Sequence, residues 1–499
     1  MDIKPTNNPS EESSAFLSST WARFAGPLLF LGSFFIESPD PQYPKLVIMT
    51  GLTAWMALWW MTECVHLSVT SLLPFLVIPT VGIADIKSVA SHYMDPILFL
   101  FIGGFMLAFA IERWGLHKRL ALHILARSGH SAASVLAGIM FTAYLISMWI
   151  SNTATVMMLI AAVTAISLQL KKDMGSEHQH RKLSAALLIG LAYAASIGGM
   201  ATLVGTPTNM IFYRFFQDEY GSTHPFHFTD WMAFAMPVSL LLLCATWFIL
   251  RTTMLRGAGK SRFDASSFAE QVKSLGPMGR DESVVALVFI TTALLWLTRA
   301  PIHAGSIQME GWASLFAYPD QLQDGTVAVF MAILLFLIPS RQEPGNRLLS
   351  WKETSRLPYD VILLFGSGFA LSKGFESSGL SNWLAGQLIV LRDVPTPLIV
   401  LGICVVVTVI SEFASNVASI QLVMPVLISM QKALDIDPLL LLLPAALAAS
   451  SGFMLPVATA PNTIVYSSGM IKVREMATAG FWTDLIAIVL FTALCSLLF

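Results

Sequence analysis

Two polar stretches interrupt apolar runs of this chain: Trp149-Ile150-Ser151-Asn152-Thr153-Ala154 and, 264 residues later, Ala414-Ser415-Asn416-Val417-Ala418. The arms beside the first, 132–149 and 154–170, carry no charged side chain. An unpaired backbone group in hydrocarbon costs several kcal/mol, so a helix breaks at that depth only where protein, water or ligand satisfies the freed groups. Two further breaks are Gly205-Thr206-Pro207-Thr208-Asn209 and Thr459-Ala460-Pro461-Asn462-Thr463. Proline removes a donor and disfavours helix at the residue before it, and Gly198-Gly199 and Gly452 weaken what precedes. Freed carbonyls with Ser and Asn oxygens suit a hard cation such as Na+, and half-helix N-termini with free N–H groups suit an anion. A single Ser-Asn stretch is equally well read as polar glue between packed helices; its repetition favours a binding site.

Across 131–170, 184–213, 397–431 and 446–471 there is no Lys or Arg, and the one carboxylate is Glu412. It reads as a neighbour of a cation site or, by preference, as a hydrogen-bonded structural acid. No HExxH, GxSxG or Walker loop is present, and His178 and His180 lie in a polar connector. Cys64, Cys244, Cys404 and Cys495 are scattered singly in apolar segments, as buried free thiols are. Nothing here points to an enzyme.

The elements that would position these breaks are membrane-grade. Of 499 residues 55% are hydrophobic and 12% charged, with mean hydropathy +0.68, which marks an all-α polytopic membrane protein. A net charge of −2 argues against a nucleic-acid partner. Apolar length places eleven transmembrane helices at 24–38, 45–61, 67–84, 96–112, 184–213, 230–250, 283–300, 324–340, 358–373, 439–468 and 477–499. The segments 132–170 and 396–431 are left as two re-entrant hairpins, because full crossings would scatter the basic loops over both sides. With the N-terminus cytoplasmic, most of the 29 Lys and Arg residues fall inside, and the C-terminus lies outside.

The chain divides accordingly: a disordered cytoplasmic tail, 1–22; first-half scaffold helices with an interfacial helix, 23–131; the first hairpin and broken helix, 132–250; and a cytoplasmic loop between the halves, 251–281. Second-half scaffold helices, 282–395, then precede the second hairpin, broken helix and last span, 396–499. Glu112 to Arg127 reads as an interfacial helix or, equally well, an ordinary cytoplasmic loop helix, and 253–281, 301–322 and 341–355 as connecting loops.

Gly104, Leu107, Glu112, Gly115 and Leu116 match Gly368, Leu371, Glu376, Gly379 and Leu380 at the same offset of 264, as Ser147 matches Ser411. Ser196, Gly198, Met200 and Pro207 match Ser450, Gly452, Met454 and Pro461 at 254. Matching elements would run in opposite directions, an inverted-topology repeat that brings broken helices together near the bilayer midplane, as in secondary transporters.

The run Ala449-Ser450-Ser451-Gly452-Phe453-Met454-Leu455-Pro456-Val457-Ala458-Thr459-Ala460-Pro461-Asn462-Thr463-Ile464-Val465, taken with the two Ser-Asn motifs, resembles the divalent anion:sodium symporter family along nearly the whole chain. That resemblance implies a homodimer in a bacterial inner membrane, with a scaffold and a transport domain that moves as an elevator. Its activity would be Na+-coupled symport of a small divalent anion, most of all a C4-dicarboxylate such as succinate. It implies one sodium site at Ser147, Ser151, Asn152 and the Gly205 backbone, and a second at Ser411, Ser415, Asn416 and the backbone around Ala458. Substrate carboxylates would meet Asn152, Thr153, Thr206, Pro207, Asn416, Val417, Ala460 and Pro461. Val417 stands where the family has a second threonine, which opens the choice among dicarboxylate, citrate and sulfate. The alternatives are a sodium-independent exchanger of the same fold and, outside transport by carriers, an anion channel or a receptor. A channel needs a continuous polar lining, and no sensor domain serves a receptor.

Overall fold

Left-handed glycines end long apolar helices at matching points of the two halves. Ile97–Arg113 gives way to Leu116–Arg127 at Gly115 (φ +70°), and Tyr359–Ser378 gives way to Leu380–Leu388 at Gly379 (φ +77°). A side chain other than glycine is strained at such an angle. The computed structural model describes residues 9–129, 131–171, 177–255, 266–304 and 307–498.

The first half runs through Pro9–Gly32, Leu46–Thr62, the short helices Leu67–Thr70, Leu73–Thr80 and Ile86–His92, and then Ile97–Arg113. The hairpin Ala132–Ser147 and Asn152–Lys171 follows, then the broken pair Glu177–Met200 and Pro207–Tyr220, and Phe228–Thr253. The second half repeats the plan. Arg280–Leu297, Asp324–Leu337 and Tyr359–Ser378 lead to the hairpin Thr396–Phe413 and Asn416–Leu434, the broken pair Pro438–Ala449 and Ala460–Tyr466, and Val473–Leu498. Six of the described helices are long and apolar enough to cross a membrane, and shorter apolar helices accompany them.

The all-helical expectation holds except for one small hairpin, Ile302–Ala304 paired antiparallel with Ile307–Met309, inside what the sequence reads as a plain loop. Three other expectations change. Pro9–Gly32 is one helix, so neither a disordered tail nor a boundary at 22 matches residues 9–22; residues 1–8 lie outside the description. The expected span 67–84 is cut into two short helices, with Pro74 at the start of the second. The helix expected from Glu112 begins at Leu116, because Glu112 and Arg113 finish the preceding helix and Gly115 turns the chain. It packs against Ser266–Ser274, a helix within the loop between the halves, of which 256–265 are not described.

Packing converges on Glu177–Met200, buried without interruption from Leu183 to Met200 and packed against both arms of the first hairpin and Phe228–Thr253. Such burial requires small side chains where backbones approach. A Cβ on Gly198 would stand 2.4 Å from Tyr144 O, too close for any real contact. The two halves are stitched at Tyr193, whose hydroxyl lies 2.6 Å from Phe453 O and 3.0 Å from Met476 O.

Candidate functional site

Each hairpin tip is built from the same three residues in the same way. Ser147 Oγ donates to Asn152 Oδ1 at 2.7 Å, and Ser411 Oγ donates to Asn416 Oδ1 at 2.8 Å. Ser151 and Ser415 then accept from the backbone N–H of Ala154 (3.3 Å) and Ala418 (3.2 Å), satisfying a donor at the start of the second arm. Ser147 and Ser411 are fully buried behind the asparagines. With each Oδ1 turned toward its serine, neither Nδ2 meets a protein acceptor among the described residues.

The broken helices press on these tips. A Cβ on Gly199 would lie 2.4 Å from Asn152 Oδ1, and one on Gly452 3.6 Å from Asn416 Oδ1, so each break sets a glycine against an asparagine. Asn209 Nδ2 bridges the freed carbonyls of Gly199 (2.9 Å) and Thr202 (2.7 Å); Asn462 Nδ2 does the same for Gly452 (3.1 Å) and Leu455 (3.0 Å). These equivalences run at an offset of 253, with Thr206 and Thr459 both preceding the new helix. The offset of 254 drawn through Gly198, Gly452 and the prolines is therefore wrong by one residue. Pro207 occupies the first helical position and Pro461 the second, and both positions tolerate a missing N–H.

Glu412 is the hydrogen-bonded acid preferred from the sequence: its carboxylate accepts from Met454 N–H at 2.7 Å and Leu455 N–H at 2.9 Å, fixing the unwound chain between Gly452 and Ala458. Asp484, from the last helix, is buried against it, a neighbour that no spacing in the sequence reveals.

All four breaks open on one cavity of about 470 Å³. Asn152, Thr153, Thr206, Pro207, Asn416, Val417, Ala460 and Pro461 line it, as do Ser151, Gly205, Ser415 and Ala458; Ser147 and Ser411 stand one layer behind. The helices beginning at Asn152, Pro207, Asn416 and Ala460 start at the cavity wall, so their N-terminal ends face it. The opposite wall is one face of Ile97–Arg113: Phe101, Gly104, Phe105, Ala108, Phe109 and Glu112 recur at helical spacing.

Behind the second tip the acceptors outnumber the protons. Ser411 Oγ faces two acceptors, Asn416 Oδ1 and Ala449 O (2.6 Å), with a single proton to donate. Oxygens short of protons, packed beside unwound carbonyls, are what a hard cation replaces protons with.

Two charged residues complete the lining among the described residues: Glu112, which the sequence places at the end of a span, and Arg356, which it places in a loop; neither is assigned a site role. Arg356 Nη2 donates to both Glu112 oxygens, at 2.7 and 2.6 Å, while the guanidinium sits 5.1 Å from the centre of the Phe109 ring. The loop that carries Arg356 is held down firmly. Arg113 pairs with Glu353 (2.9 Å) and Glu343, and Trp114 Nε1 donates to Leu348 O at 2.8 Å. Asp281 receives Ser340 Oγ (2.6 Å) and the Arg341 and Gln342 amides (2.9 Å each). Burial alone would push the Asp281 carboxyl up, but those hydrogen bonds outweigh it and hold it below the ordinary aspartate value. The matching of Glu112 with Glu376 in the repeat is the one sequence signal that singles out this corner.

A family model described as the sodium:sulfate symporter transmembrane region matches residues 17–498. The sodium-dependent dicarboxylate transporter SdcS of Staphylococcus saprophyticus is 36% identical over 488 residues, 97% of this chain and 92% of the relative. SdcS of Staphylococcus aureus strain NCTC 8325 is 37% identical over 470 residues, 93% of this chain and 88% of the relative. Among solved structures, the Alcanivorax borkumensis YdaH transporter superposes with a TM-score of 0.56 at 16% identity, covering 96% of this chain and 98% of its own. MtrF of Neisseria gonorrhoeae gives 0.54 at 14% identity, covering 95% and 94%. These two share the fold. The chain belongs to the sodium:sulfate symporter family, a multi-pass membrane transporter and not an enzyme.

Proposed function

We propose that this member of the family is a secondary-active, Na+-coupled symporter of small divalent anions, C4-dicarboxylates such as succinate above all, working by elevator-type alternating access. One observation carries the reading: each tip asparagine lines the shared cavity with its Oδ1 on a buried serine and its Nδ2 without a protein acceptor among the described residues, so one carboxamide would serve a cation through its oxygen and an anion through its nitrogen. The names of the Staphylococcus relatives agree with it. One sodium would be held by Ser147, Ser151, Asn152 and the Gly205 backbone, the other by Ser411, Ser415, Asn416 and the backbone around Ala458. Substrate carboxylates would take Asn152 and Asn416 Nδ2, the Thr153 hydroxyl, and the N-terminal turns at Thr206-Pro207 and Ala460-Pro461, with Val417 as an apolar wall.

A sodium-independent exchanger would need another source of positive charge, and the one fixed cation lining the cavity among the described residues, Arg356, is paired with Glu112. Uptake of labelled succinate, citrate and sulfate into proteoliposomes, with and without a Na+ gradient, tests the proposal. Succinate uptake indifferent to sodium rejects symport, and preference for sulfate or citrate corrects the substrate.

The asymmetry between Thr153 and Val417 has its own expected result. Thr153→Val weakens succinate binding by one hydrogen bond to a charged group, about 1.5–3 kcal/mol. Val417→Thr is tolerated or shifts the choice of anion. Equal losses in the two variants would contradict these roles.

In the proposed topology the N-terminus is in the cytoplasm of a bacterial cell and the C-terminus outside; residue 499 itself is not described. In a cysteine-free background, a cysteine at Met278 stays protected from an impermeant thiol reagent added outside, and one at Ser222 reacts. The reverse pattern inverts the topology. A homodimer is expected, and light scattering of the detergent-purified protein decides it.

A further inference from the structure

The guanidinium at the mouth of the cavity is held by a single nitrogen. Arg356 Nη2 meets both oxygens of Glu112, whereas Nε and Nη1 have no acceptor among the described residues, and Cζ lies 5.1 Å from the centre of the Phe109 ring. Arg356 is 52% exposed and Glu112 34%, so this pair stands in water at the rim, where an ion pair is worth little and exchanges readily. A fork of N–H donors with one side open is the geometry that receives a carboxylate bidentately. The arrangement is also one-sided. The residue matching Arg356 in the repeat is His92, whose Nδ1 is engaged with Ser88 O at 2.6 Å, and the mate of Glu112, Glu376, is paired with Lys373 on the surface.

We propose that Arg356 is an anion landing site at the cavity mouth, taking one carboxylate of the dianion before the tip asparagines receive it, with Glu112 as its displaceable placeholder. This rests on the reading of the cavity as a divalent-anion site. The guanidinium turns from Glu112 to the incoming carboxylate, and the phenyl face of Phe109 limits its swing. Because the position is fixed by Arg113–Glu353, Trp114–Leu348 and the Asp281 clasp, the landing site does not have to be ordered at each encounter. Its contribution is therefore to the rate of capture more than to the final affinity.

The test is rapid-mixing fluorescence of detergent-purified full-length protein in saturating Na+, with succinate, citrate and sulfate as separate probes. For Arg356→Gln the association rate falls about tenfold and loses most of its dependence on ionic strength, as expected when a steering charge is removed. Dissociation stays within about twofold, and Arg356→Lys lies between, keeping charge without the fork. Glu112→Gln frees the guanidinium and raises the association rate severalfold, so the proposal is tested in the opposite direction even if Arg356→Gln elutes as aggregate on size exclusion. An unchanged rate in Arg356→Gln, or slowing in both variants alike, would show a structural clasp and overturn the proposal. A native protein that binds sulfate or citrate but not succinate corrects the substrate and still tests Arg356; one that binds none of the three removes both readings.

Discussion

Asn152→Ala and Asn416→Ala each abolish sodium-driven succinate uptake while the purified protein still elutes as a single folded species. Each asparagine does two jobs in the structure. Its Oδ1 lies at hydrogen-bond distance from a fully buried serine hydroxyl, 2.7 Å for Ser147 and 2.8 Å for Ser411, and its Nδ2 has no protein acceptor among the described residues on a side chain that lines the cavity. Alanine removes a donor to a charged carboxylate and an oxygen from the cation cluster, each worth about 1.5–3 kcal/mol. Together they lower ligand affinity by at least two decades at about 1.4 kcal/mol per decade. The cost to folding is smaller and local: Asn152→Ala leaves the Ser147 hydroxyl unpaired, about 1–3 kcal/mol, whereas in Asn416→Ala the Ser411 hydroxyl keeps Ala449 O, and both changes lie at a tip rather than in the packed span Leu183–Met200. Near-normal uptake in either variant, with normal elution, would make the Ser-Asn motif structural glue and remove the proposed site.

These two residues were legible because the repeat announces them. The same serine, spacing and asparagine recur 264 residues apart, and the contacts around them are local, five residues from donor to acceptor. Glu112 and Arg356 were not legible as cavity residues, since the sequence separates them from the tips and from each other, and only the packing of Ile97–Arg113 across the breaks brings them to the rim. Charge counting places Arg356 in a cytoplasmic loop and apolar length places Glu112 at the end of a span, and neither says what the two residues face. The one-residue slip between the broken helices has a different cause. Proline is accepted at either of the first helical positions, so it marks the break without fixing the register, whereas Asn209 and Asn462 must each reach two carbonyls and do fix it. Pattern reading followed the conspicuous residue instead of the constrained one. Likewise, hydropathy located the apolar segments, but the cut between Leu67–Thr70 and Leu73–Thr80 and the turn at Gly115 belong to local backbone geometry that apolar length does not encode.

Succinate affinity rises steeply with sodium concentration, and sodium alone changes accessibility at the tips. A dianion in the cavity meets little fixed positive charge. Four helices begin at its wall, each offering at most about +0.5 of partial charge, and the last, Ala460–Tyr466, is only 7 residues long. The single lining cation is paired with Glu112, so the fixed side-chain charge of the lining sums to nothing. Desolvating a buried charge costs several kcal/mol per ion even after relaxation, and helix ends alone do not offset that for two carboxylates. Sodium bound at the Ser147–Asn152 and Ser411–Asn416 clusters would neutralise the anion. It would also hold each Oδ1, and so keep each Nδ2 aimed at the cavity. Sodium should therefore bind first. Linkage then requires that succinate tighten sodium binding by the same factor. The measurement is equilibrium binding of succinate to detergent-purified protein across a Na+ titration, with choline holding ionic strength constant. Below saturation, the logarithm of affinity climbs against the logarithm of sodium concentration with a slope of about two if both clusters fill before the anion, and about one if only one does. Cysteine labelling beside Asn152 and Asn416 in sodium without succinate reports the tips separately. An affinity that stays the same from zero to saturating sodium would remove symport and leave exchange, with charge compensation drawn from the rim, as the reading that the cavity supports.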